Sequence, residues 1–257
     1  MKRGVMILIA ATLVAAQAAA ITGKEVAQHV YNRDNGNSVH ALVEMVLTDK
    51  NGDTNNRIVE GWGMDNDQDL QRAVIVFHRP ASVQGTRFLL VENQNRDDDQ
   101  WIYLPALQRV RRIAASEGGQ SFMGTDYTYD DLKTRQVDDD THSLLREETL
   151  DGFDCYVVQS VPKDLGNAQY SKRIQWVDRQ SWVPVKMELY DKDGTLEKVN
   201  RVEELKKVQD YWTPMKSIME NVQSGHATTI TIQKILYNEN LPQGMFSTRF
   251  LETGRVQ

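Results

Sequence analysis

Apolar and polar residues alternate through most of this chain, in short runs separated by turn formers. Val39, Ala41, Val43, Met45 and Leu47 fall on one side of an extended segment whose other side carries His40, Glu44 and Thr48. A period of two places these sets on opposite faces of a sheet. The run Asp-Lys-Asn-Gly-Asp at 49–53 reads as a hairpin turn, its Asn-Gly being a strong short-range signal. Strands are predicted at 57–64, at 70–78 before Pro80, and at 88–91 and 101–105. The second half repeats the style at 143–150, 153–161, 172–178, 183–190, 196–208, 212–222 and 227–236. Asp151-Gly152, Asp193-Gly194 and Ser224-Gly225 mark turns between them. Residues 22–31 form the one clear N-terminal helix: Thr22 caps it, Glu25 completes a capping box, and Val26, Ala27 and Val30 share a face. A short helix is expected near 125–132 and a helical turn at 241–246. About eleven to thirteen sequential strands predict a mainly β fold. The expected form is one highly curved antiparallel sheet, or an incompletely closed barrel, with the N-terminal helix and short helices over it.

The densest pattern lies at 85–132. An apolar strand at 88–91 runs into an acidic loop, then Trp-Ile-Tyr-Leu-Pro at 101–105, a basic run, and a loop with Gly118 and Gly119 that leads to Phe122 and Met123. A curved sheet has a concave face, and where few helices plug it, part of that face stays open to a ligand. The side chains available to line such a cavity are Met45, Leu47, Trp62, Phe88, Leu90, Trp101, Tyr103, Phe122, Met123, Trp176, Val185, Met187, Leu189, Met215 and Met219. Methionine suits irregular apolar shapes such as an acyl chain. Taken singly, each of these residues reads first as ordinary core.

Charge and the termini narrow the setting. The formal net charge is −6, which argues against a nucleic-acid partner. Lys2 and Arg3 precede an apolar run and Ala18-Ala19-Ala20, the pattern of a secretory leader cleaved near Ala20. The mature part, 21–257, is then expected in the periplasm as one domain. The single cysteine, Cys155, lies in an apolar strand and reads as a buried, inert thiol.

Motifs for chemistry are sparse. His29, His40, His78, His142 and His226 are scattered without metal-ligand spacing. The aspartate triplets at 97–99 and 138–140 lack the alternation of a calcium loop. Neither a G-x-S-x-G elbow nor a phosphate-cradling glycine loop is present. No cofactor, metal or catalytic residue is therefore assigned. Arg109 and Arg111 point to one side of a strand and Arg112 to the other; they could pair with Asp126, Asp130 or Asp131, or contact an anionic head group.

The order WIYLP at 101–105, RVRRI at 109–113 and FMGTDYTYDDL at 122–132 resembles the outer-membrane lipoprotein-sorting proteins, relatives of the LolA-type carriers. Residues 174–178, 183–186, Tyr190-Asp191 with Gly194, and Thr228-Thr229 before 245–247 are similar to the same family. The resemblance implies an incompletely closed barrel with helices over its mouth and a hydrophobic cavity. It implies a carrier of lipoprotein or lipid acyl chains bound for the outer membrane, served by an inner- or outer-membrane transport partner. Two other classes remain open on the residues alone: an envelope interaction module with a packed interior, and a hydrolase with an unrecognised site. Oligomeric state is not legible.

Overall fold

The computed structural model describes residues 20–65 and 70–256. The leader read from the sequence lies outside the described residues, apart from Ala20. Helix α1, Gly23–Tyr31, is closed by the expected box: the Thr22 side chain accepts from the Glu25 amide, and the Glu25 carboxylate accepts from the Thr22 amide. The strands follow: β1 Ser38–Thr48, β2 Thr54–Asp65, β3 Gln71–Arg79, β4 Arg87–Val91, β5 Asp99–Leu104 and β6 Arg109–Arg112. After a long connection come β7 Asp140–Leu150, β8 Phe153–Pro162, β9 Lys172–Asp178, β10 Pro184–Tyr190, β11 Leu196–Val208, β12 Tyr211–Asn221 and β13 His226–Tyr237. A short helix α2, Thr248–Thr253, precedes the C-terminus. Among the described residues no helix is long and apolar enough to cross a membrane.

All thirteen strands form one antiparallel sheet in the order β6-β5-β4-β3-β2-β1-β13-β12-β11-β10-β9-β8-β7. The two ends, β6 and β7, do not pair, so the barrel stays open. Residues 113–139 join these two edges by crossing one face of the sheet, called the inner face below. Near 125–132 the chain is a hairpin and a single 3-10 turn, Asp130–Leu132, rather than the expected helix.

The crossing segment shows how strongly the sheet bends. Phe122 and Tyr127 are neighbours, the Phe122 amide donating to the Tyr127 carbonyl at 2.8 Å. Yet the Phe122 ring is 5.0 Å from Phe88 on β4, while the Tyr127 hydroxyl takes a hydrogen bond of 3.1 Å from Asn200 on β11. Six strand-to-strand steps separate β4 from β11, about 29 Å along the sheet. Two adjacent residues can touch both only if the sheet wraps around them.

Burial follows the two-residue period. Phe88 pairs with Ile75 and Ile102 on the inner face, where the core also holds Met45, Leu47, Val59, Phe77 and Leu90. Leu89 pairs with Val74 and Trp101 on the outer face. That outer core is covered by Phe246, Phe250 and Leu251 of the C-terminal segment. The β2–β6 half of the sheet is thus sandwiched, whereas α1 packs Val26 on the inner face of the other half, against Tyr156, Val158 and Val177.

Candidate functional site

The tip of the crossing segment is a plug inside the half-barrel. Ser121 bridges to Thr128, and the Thr125 amide closes a turn on the Phe122 carbonyl at 3.0 Å. Met123 and Gly124 both take positive φ, 54° and 79°, the backbone a two-residue hairpin turn demands. Gly124 meets this at no steric cost; Met123 adopts it against the preference of a side-chain-bearing residue.

Side chains from distant strands hold the plug. The Asp126 carboxylate accepts from Thr228 Oγ1 at 2.6 Å and lies 2.7 Å from His226 Nδ1. Gln100 Nε2 donates to the Tyr129 carbonyl at 2.7 Å, and the Tyr170 hydroxyl donates to Asp131 at 3.1 Å. Burial pushes the Tyr127 phenol up to about 12, so it stays neutral and can accept from Asn200. Arg57, on the inner side of β2, donates to the Met123 carbonyl. It is 8% exposed, and its Nε has no partner. Burial lowers its pKa, and no carboxylate offsets the effect.

Beside the plug the inner face carries apolar groups that remain partly open. One register line runs Ile235 on β13, Ala41 on β1, Gly61 on β2 and Ile75 on β3. A second pairs Ile232 with Val43. Met215 is left unpaired at an irregularity of β12 between Pro214 and Lys216. Ile235, Ala41, Gly61, Ile75, Ile232, Val43 and Met215 are each half-buried. Gly61 is the informative one. A Cβ built there would meet nothing nearer than the Val74 carbonyl oxygen at 3.9 Å, and its φ is not in the left-handed region. The space directly above it is open, which makes this stretch of the inner face the candidate trough. At one end Tyr237 and Thr213 share a 2.7 Å hydrogen bond between hydroxyls, and Arg33 Nη1 donates to the Trp212 carbonyl at 3.0 Å.

The sheet separates the residues that the sequence grouped together. Met45, Leu47, Phe88 and Leu90 lie in the inner core with Phe122, and Met123 packs against it, so the last two are plug rather than wall. Met187, Leu189 and Met219 are inner and pack with Tyr127 and Tyr170; Met215 is half-buried at the β12 irregularity. Trp62, Trp101 and Tyr103 are a correction: they lie on the outer face beneath the C-terminal segment. Trp176 is another, packed outside with Cys155 and Val157 and flanked by Lys186, whose ammonium is 4.1 Å from the ring centroid. A register shift between Pro184 and Lys186 puts Val185 in that same cluster. The arginines also find partners other than those expected. Arg111 pairs with Glu117 at 2.7 Å, and Arg112 pairs with Asp99. Arg109 remains exposed.

A family model described as "Uncharacterized protein" matches residues 69–253, more than half of the chain. The crystal structure of an outer membrane lipoprotein-sorting protein domain from Vibrio parahaemolyticus is 31% identical, covers 90% of this chain and 98% of its own, and superposes with a TM-score of 0.84. The chain belongs to the outer-membrane lipoprotein-sorting protein family. A DUF1329 family protein from Desulfovibrio piger is 29% identical over 89% of this chain and 97% of its own, with a TM-score of 0.85. A LolA superfamily protein from Nitrosomonas europaea, at 21% identity, 90% and 100% coverage and a TM-score of 0.70, shares the fold. No curated protein sequence matches the chain.

Within this family fold, the sequence reading missed Arg57, Gly61 and the Asp126–His226 contact. Gly61 and Gly63, two apart in a strand, were a readable signal, since such glycines mark one bare face or a close approach. Arg57 gave none: whether a strand arginine faces in or out depends on the plug above it. The other histidines are engaged as well. His40 and His78 flank Glu60 at 2.7 and 2.9 Å, His142 lies 2.8 Å from Ser160 Oγ, and His29 stacks on Trp182.

Proposed function

We propose that this protein is a periplasmic carrier that takes acyl chains of lipoproteins or lipids into the inner trough and moves them towards the outer membrane. The observation that supports it most directly is the half-open apolar line Ile235–Ala41–Gly61–Ile75, in a family whose relatives include a lipoprotein-sorting protein domain. Sequestration is a binding process. Apolar surface leaves water for a preformed wall, at about 25 cal/mol per Å² buried, and no bond is made or broken. Release then falls to a membrane transport partner, because the sequence carries no nucleotide-binding motif.

Gly61→Leu tests this reading. The new side chain enters space that the fold leaves empty, on a strand whose backbone accepts it. Melting should shift by only a few degrees, while a fluorescent fatty-acid probe should bind at least about tenfold more weakly, roughly two buried methylenes' worth of lost contact. Unchanged probe affinity in the folded variant would remove the trough as the acyl site.

A further inference from the structure

One end of the half-barrel combines exposed apolar side chains with arginines that have no acidic partner. The β5–β6 turn presents Leu107, 55% exposed, and the C-terminal tail presents Val256, 42% exposed. Arg79 at the end of β3, Arg109 at the start of β6 and Arg255 in the tail are exposed around them. Among the described residues none of the three has a salt-bridge partner, whereas the neighbouring Arg111 and Arg112 are both paired.

Local packing brings these pieces to one place. A Cβ at Gly85 would lie 3.3 Å from Pro105 Cγ, which seats the β5–β6 turn on the β3–β4 turn. Arg87 Nη1 donates to the Leu251 carbonyl at 2.6 Å, and a Cβ at Gly254 would lie 2.9 Å from Arg87 Nη2. Arg87 itself pairs with Tyr103, and Leu104 pairs with Arg109. Glu252 is the exposed acid on α2. The β1–β2 and β10–β11 turns lie at the same end of the sheet and carry Asp49, Asp53, Asp191 and Asp193. The unpaired arginines are therefore a basic corner, β3 to β6, of an end whose other turns are acidic.

We propose that this corner docks on an anionic lipid bilayer, with Arg79, Arg109 and Arg255 meeting head-group phosphates and Leu107 entering the interface. Charge complementarity selects the occupant. Unpaired guanidinium groups fork onto phosphate oxygens, and an apolar tip beside basic residues is the pattern of interfacial attachment. Leu107 is exposed on a turn, so it suits a compliant surface better than a rigid groove. Val83 of the β3–β4 turn packs in the same core as Met123, so docking would set the plug turn close to the bilayer. The inference extends the carrier reading to the surface where cargo is exchanged, but its test is separate.

The test is sedimentation of the purified protein with vesicles of phosphatidylcholine alone, or of phosphatidylcholine and phosphatidylglycerol in equal parts. Wild type should partition at least about tenfold more strongly onto the anionic vesicles, and the gain should fade as salt rises. Arg79→Glu/Arg109→Glu should lose about tenfold or more of that binding, and Leu107→Ser about fivefold, both keeping the fatty-acid probe affinity of wild type. Gly61→Leu should sediment as wild type does, which separates docking from acyl uptake. Equal partition onto both vesicle types, or full retention by the charge-reversed variant, would overturn the proposal.

Discussion

Arg57 is a buried cation whose hydrogen bond goes to a carbonyl, that of Met123, with its Nε left without a partner. A buried charge lacking a counter-ion costs several kcal/mol of effective desolvation, so its removal need not destabilise the fold. Arg57→Met keeps an unbranched apolar stem in place of the inner part of the side chain and removes that cost, while releasing the plug turn. The expected result is a melting temperature within a few degrees of wild type, with amide exchange at 121–128 faster by about tenfold or more, the loss of one charged hydrogen bond. Exchange unchanged at these residues would show that the plug is held by its other contacts alone. Cys155 is a different residue-scale case. Burial pushes its thiol up to about 11, leaving about one thiolate in a thousand at pH 8. A thiol reagent should label it slowly in the native protein, faster with rising pH, and at once on unfolding; rapid native labelling at pH 8 would contradict the inert reading.

At the scale of elements, α1 shows two effects in opposition. Gly23 is in the first turn, where alanine has the better helix propensity by up to about 1 kcal/mol. Its Cα, however, rests on the β7 backbone: a Cβ there would lie 2.6 Å from both Leu144 N and Ser143 C. Backbone cannot yield as a side chain can, and overpacking of this kind costs about 1–3 kcal/mol. Gly23→Ala should therefore lower stability in denaturant titration; a gain would mean that α1 can shift along β7 freely. The C-terminal segment acts as a lid on the other face. Ending the chain at residue 240 removes Phe246, Phe250 and Leu251 and uncovers Val74, Leu89, Trp62 and Trp101. Each fully buried apolar side chain is worth about 1.5–3 kcal/mol, so the truncated protein should bind a hydrophobic dye and lose its cooperative melting transition. A truncated protein that melts as the full chain does would make the segment dispensable.

The whole molecule is a sheet bent around its own connection. Antiparallel neighbours need only short turns, so the chain can lay down β1 to β6 outward in one direction, cross the inner face, and return from the far edge through β7 to β13 until β13 meets β1. The crossing segment therefore does two jobs. It fills one half of the concavity with Phe122 and Tyr129, and it leaves the line at Ala41, Gly61, Ile75 and Ile235 open beside it.

Much of this was local and hence legible in the sequence. Alternation at 39–48, the Asn-Gly turn and the Thr22–Glu25 box act over a few residues, and the strands, the first hairpin and α1 came out accordingly. The candidate site was legible only in part. Period two says that Phe88 and Leu89 face opposite ways, but an apolar residue on either face reads alike, and the C-terminal segment makes the outer face of β2–β6 as apolar as the inner. Trp62, Trp101 and Tyr103 were grouped with the cavity for that reason. A register shift did the same for Val185. Which concave residues stay open, and which arginine is buried, was decided by where one hairpin of the crossing segment lands, through contacts such as Asp126 with Thr228 that span about a hundred residues of chain. Local patterning sets strand direction and period; only the folded chain brings Gly61, Arg57 and the plug to one wall.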